Sequence, residues 1–64
     1  MMDDLIVYIK TRLEEIKETY DFYLTKLDMS YSEAEQKTYE NRLRDLRIEK
    51  NTLEDILEKI EGED

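Results

Sequence analysis

The stretch Leu27-Asp28-Met29-Ser30-Tyr31-Ser32-Glu33 decides how this chain folds. Asp28, Ser30 and Ser32 cluster there, and such side chains compete with the helix for backbone hydrogen bonds. Ser30…Glu33 and Ser32…Glu35 both match the capping box. In that box the serine hydroxyl accepts from the N3 amide while the glutamate reaches back. The stretch reads as a reversal between two helices, about 3–28 and about 33–61, with the turn at about 29–32 and its midpoint between Tyr31 and Ser32.

Working outward, the first arm carries an unbroken stripe at alternating steps of three and four: Ile6, Ile9, Leu13, Ile16, Tyr20, Tyr23 and Leu27. That is a heptad seam with Ile6 at a and Ile9 at d. The second arm repeats it with Tyr39, Leu43, Leu46, Leu53, Leu57 and Ile60. Two of its a positions are polar, Gln36 and Lys50. Lys50 reads either as a register-fixing residue or as a lysine whose stem packs on Leu13 while the ammonium reaches water.

The two stripes mirror each other. Pairing Tyr23 with Tyr39, Tyr20 with Leu43, Ile16 with Leu46, Ile9 with Leu53, Ile6 with Leu57 and Met2 with Ile60 makes the residue numbers add to one value, within one. Leu13 with Lys50 and Leu27 with Gln36 complete the series. An antiparallel pair requires this, because a then faces a and d faces d. On the flanks the same pairing sets Lys10 against Glu54, Arg12 against Glu49, Lys26 against Glu35 and Leu5 against Ile56. It also sets Lys17 against Arg47 and Asp3 against Glu61, two repulsive contacts. The competing architecture is one continuous helix, since there is no proline and the only glycine, Gly62, sits at the far end as a natural C′ residue.

The fold expected is therefore all-α: an antiparallel two-helix hairpin of the coiled-coil type in one domain, 1–64. A chain of 64 residues without cysteine has a small core and no disulfide to brace it. Two hairpins paired about a two-fold axis form a four-helix bundle and cover residues that widen the stripes, Leu5, Leu24 and Ile56. Such a pair resembles in design the Rop-type plasmid regulators. A homodimer is the expected state.

Further apolar residues lie off the seam: Val7, Tyr8, Phe22, Tyr31 and Ile48. With Leu5, Leu24 and Ile56 they are the expected self-association or protein-partner surface. The run Leu5–Ile9 makes the first turns apolar nearly all round, and such a helix is normally covered. Phe22 and Tyr31 lean toward a partner, while Tyr20, Tyr23 and Tyr39 read as packing.

Ten basic and eighteen acidic residues give a net charge of −8. The summed field repels phosphate, so nucleic acid and anionic membrane are disfavoured partners. Leu5–Ile9 follows Asp3 and Asp4 and is too short for a leader core or a span. A soluble, cytoplasmic protein is expected. With no histidine or cysteine, no Ser-His, Cys-His or zinc arrangement can be drawn, and no phosphate loop or calcium loop is present. The adjacent acids Asp3-Asp4 and Glu14-Glu15 read as solvated faces, because catalytic acid pairs belong to clefts. No catalytic residue, cofactor or metal ligand is assigned.

Arg42, Arg44 and Arg47 form a local basic run that serves either as a nucleic-acid strip or in pairing with Glu40, Asp45 and Glu49. The expectation for function is a small acidic, non-catalytic interaction or regulatory module that self-associates through its seam. The alternatives are an acidic mimic of nucleic acid, of the kind small phage-encoded proteins provide, and a Rop-like RNA-binding bundle.

Overall fold

The computed structural model describes residues 2–62, with the side chain of Met2 outside the described set. The expected Met2–Ile60 layer therefore lies outside the described residues. Two helices run through the chain, α1 at Met2–Asp28 and α2 at Glu33–Glu61. Both are long because nothing inside them breaks a helix. Both also carry charge that suits the helix dipole. Asp3 and Asp4 open α1 and Glu33 and Glu35 open α2, while Lys26 and Lys59 lie in their last turns.

The helices pack side by side in an antiparallel hairpin, a rod of 49 × 14 × 13 Å. The non-helical segment 29–32 contains the expected reversal point. α1 ends as the Met29 amide is shared between the Thr25 and Lys26 carbonyls, both at 3.2 Å. Ser32, with extended backbone, caps α2, and its hydroxyl accepts from the Glu35 amide at a long 3.5 Å. The Ser30…Glu33 capping box does not form. Ser30 Oγ donates instead to Glu35 Oε2 at 3.2 Å and to the Ser32 carbonyl at 3.3 Å. Gln36 explains its own polar position in the seam. Its Nε2 donates to the Ser30 carbonyl at 3.1 Å and satisfies a turn acceptor that an apolar residue would leave bare.

At the other end Gly62 does not take the left-handed conformation expected of a C′ glycine. Its φ is −88°, and its amide donates to the Glu58 carbonyl at 2.7 Å. Glycine suits the site for a different reason. A Cβ there would lie 2.8 Å from that same carbonyl oxygen.

Burial follows the stripes. Ile9, Ile16 and Leu43 are fully buried, at 2%, 1% and 6% exposure. Ile6, Leu13, Tyr20, Tyr23, Leu27, Tyr39, Leu46, Leu53, Leu57 and Ile60 are half-buried. Tyr23 meets Tyr39 across the hairpin with ring centroids 5.9 Å apart. Among the described residues only Ile9, Ile16 and Leu43 are fully covered, because two helices share one line of contact. The other apolar stripe residues described keep one side open to water.

Candidate functional site

The hairpin has two broad flanks, one on each side of the seam. Residues seven apart in a helix return to nearly the same direction, so each flank gathers a defined set.

The first flank takes Leu5, Tyr8, Arg12 and Phe22 from α1 and Arg42, Glu49 and Ile56 from α2. Four large apolar side chains are exposed on it: Leu5, Tyr8, Phe22 and Ile56. Leu5 and Ile56 sit near the open end and Phe22 near the turn, where Met29 is also exposed. Its charges balance, with Arg12, Lys26, Arg42 and Lys59 against Glu15, Glu35, Asp45 and Glu49. At its middle Arg12 grips Glu49 with two hydrogen bonds, Nε to Oε2 at 2.7 Å and Nη2 to Oε1 at 3.0 Å. Arg12 also lies 3.8 Å from Glu15. The Glu49 hydrogen bond and charge hold the Arg12 guanidinium above its ordinary pKa, and the Arg12 hydrogen bond holds Glu49 below the usual carboxylate range.

The pH dependence follows from those directions. A depressed Glu49 contributes stability at pH values above its unfolded pKa and loses it as pH falls through the native value. A raised Arg12 contributes below its own unfolded pKa, far above neutrality. The pair is therefore fully effective from about pH 5 upward to strongly alkaline pH. In a double-mutant cycle of Arg12→Ala and Glu49→Ala, a favourable coupling is expected at neutral pH that declines as Glu49 is protonated in acid, below the ordinary carboxylate range. A coupling that acid does not diminish would contradict this.

The second flank is different. A groove of about 900 Å³ lies between the helices there. Leu13, Ile16 and Tyr20 form its floor, and Lys10, Lys17, Arg47 and Lys50 stand along it with Glu14 and Glu54. Lys50 leaves the seam, exposes its ammonium and places Nζ 3.7 Å from Glu54 Oε1. Leu13 thus lacks an apolar partner in its layer, and the groove opens beside it. Leu24 belongs to this flank, beside a smaller hollow with Met29 and Gln36. It therefore lies across the seam from Leu5 and Ile56.

Several expected ion pairs do not close among the described residues. Lys10 reaches Glu61 at 3.3 Å and not Glu54. The reason is geometric: helical side chains lean toward their own N-terminus, so Lys10 and Glu61 lean toward each other from different levels. Lys26 places Nζ 5.4 Å from the centre of the Phe22 ring and leaves Glu35 to Ser30. Lys50–Glu54 closes as an i,i+4 pair, whereas Glu33/Lys37, Glu40/Arg44 and Asp55/Lys59, at the same spacing, do not come within ion-pair distance. Exposed pairs are worth only about 0–1 kcal/mol, so little holds any one of them closed.

The other sequence-derived candidates scatter. Val7 and Ile48 are exposed on outer faces, and Tyr31 is fully exposed at the turn. Arg42, Arg44 and Arg47 are exposed, with no carboxylate at ion-pair distance among the described residues; Arg42 faces the first flank, while Arg44 and Arg47, three apart, face the second. Asp3, Asp4, Glu14 and Glu15 are exposed. Among the described residues no cluster of acids is placed to hold a metal ion, and no helix is long and apolar enough to cross a membrane.

No family model, no curated protein and no solved structure matches the chain. The functional reading rests on the geometry of the two flanks.

Proposed function

We propose that this chain is a small acidic, non-catalytic interaction protein that works as a homodimer. In this reading the seam is a short antiparallel coiled coil, and two hairpins pair through the first flank into a four-helix bundle. The observation that carries it is the coincidence on that flank of exposed Leu5, Tyr8, Phe22 and Ile56 with a balanced set of charges. The other flank carries uneven charge, with Lys10, Lys17, Arg47 and Lys50 gathered along its groove, so a second copy approaching there sets cation against cation.

An antiparallel two-fold arrangement fits the placement. It lays Leu5, Tyr8 and Ile56 of each copy over Phe22 of the other, with the Arg12–Glu49 pairs between the two apolar patches. A face of 49 by 14 Å offers roughly 700 Å² per copy, so the pair exceeds the ~1,000 Å² total that a specific interface requires. The same pairing through the second flank would bring Lys17 and Arg47 against their own copies. The RNA-strip reading draws less support, because Arg42 lies on a different flank from Arg44 and Arg47 and the chain repels phosphate. The nucleic-acid-mimic reading draws on the same −8 charge but on no patterned row of acids.

Charge placed on each flank in turn tests the reading by mass in solution. Leu5→Glu with Ile56→Glu is expected to reduce the sedimentation mass to that of one chain. Val7→Glu with Leu24→Glu, off that flank, is expected to leave it at twice that. Equal responses from the two double variants would sink the proposal.

A further inference from the structure

We infer that the groove on the second flank is a docking site for an acidic amphipathic helix of a partner protein. The inference does not depend on self-association, which uses the opposite side of the hairpin.

Three observations carry it. First, a chain with an excess of eight negative charges sets four of its ten cations along one groove. Lys17 and Arg47 line it without any carboxylate at ion-pair distance among the described residues. Facing cations on an acidic protein repel each other and gain from an external anion. Second, the floor of Leu13, Ile16 and Tyr20 is apolar, so the fitting ligand carries an apolar stripe as well as negative charge. Third, the groove exists because a lysine occupies a seam position. A leucine at position 50 would fill the layer opposite Leu13. The sequence instead gives up that burial and adds a cation to the groove wall.

The shape selects a helix. From Lys10 to Tyr20 the groove follows about 15 Å of α1, close to three helical turns at ~1.5 Å per residue. An amphipathic helix of that length lays its apolar positions on the floor and its flanking carboxylates on the cations, the helix-in-groove mode of recognition. A nucleic acid would satisfy the cations but would run past them at the open end of the hairpin, where Asp3, Glu58 and Glu61 lie.

The probe is a stapled helical peptide of about three turns, with leucines along one face and glutamates on the other. Added to the ¹⁵N-labelled full chain, it is expected to shift the amides of Lys10, Leu13, Lys17, Tyr20, Arg47 and Lys50 and to bind more weakly as salt rises. Lys17→Glu with Arg47→Glu should weaken binding about tenfold or more, since like charges then face each other. Arg42→Glu with Arg44→Glu is the control, removing the same charge outside the groove, and should leave groove binding within about threefold. Lys50→Leu, which fills the layer and keeps the chain folded, should also weaken it. The inference is overturned if the peptide fails to bind saturably or if its shifts map to the first flank. It is equally overturned if a lysine-for-glutamate peptide binds as well, if the two charge-reversed variants respond alike, or if an oligouridylate occupies the groove more tightly than the peptide.

Discussion

Ile16→Ala is expected to lower the melting temperature of the helical signal by about 10 °C or more. Ile16 is the most deeply buried side chain described, at 1% exposure, and with Ile9 and Leu43 it makes up the whole fully buried core. Removing an isoleucine to alanine in such a place costs about 2–5 kcal/mol, from lost transfer energy and the cavity left behind. A chain of this size rarely has more than ~3–5 kcal/mol in total from its core. For a domain this small each kcal/mol moves the midpoint by about 4–8 °C. Ile48→Ala is the matched control. Ile48 is 57% exposed on an outer face, and its replacement should move the midpoint by only a few degrees. Circular dichroism melts of the two variants, at one protein concentration, check both. Similar midpoints would mean that the seam is not where the stability resides.

The second large effect concerns phase. One alanine inserted between Asn41 and Arg42 rotates everything after it by about 100° about the helix axis. Leu43, Leu46, Leu53, Leu57 and Ile60 would then leave the seam together, and the cooperative melt should disappear. The same alanine inserted between Tyr31 and Ser32 lengthens only the turn. Neither stripe changes phase, and a longer loop costs little, about 0.6 kcal/mol for a full doubling. The melt should stay cooperative and shift by a few degrees. A continuous helix in a long coiled coil would make the opposite forecast, because there any single insertion disrupts the stripe equally. Equal damage from the two insertions would therefore overturn the hairpin.

Much of the fold is legible in the sequence because it is a matter of period. Strict three-four spacing marks every seam residue, and the constant numerical pairing places the reversal between Tyr31 and Ser32. The Arg12–Glu49 contact follows from that same pairing. What period cannot supply is side-chain reach. Lys10 goes to Glu61 and not Glu54 because both side chains lean along their helices, and Lys26 prefers the Phe22 ring to Glu35. The turn is half legible. Ser32 caps as the pattern says, but Ser30 and Gln36 form hydrogen bonds that no capping rule names.

The candidate surfaces are legible in part. The exposed apolar residues can be named from the sequence, but their division between flanks, with Leu24 apart from Leu5 and Ile56, depends on treating each flank as a surface. The groove is the clearest omission. Its signal was present as the repulsive pairing of Lys17 with Arg47 and the misfit Lys50, two apparent defects in one place. Both lie along the groove.

The central claim is that the chain acts as a pair of hairpins joined by the first flank, and sedimentation equilibrium of the unaltered chain at about 50 µM tests it most directly, since association follows mass action. The account predicts a mass of twice 7.8 kDa, falling toward a single chain only on dilution. A cooperatively folded species of 7.8 kDa at that concentration would contradict it.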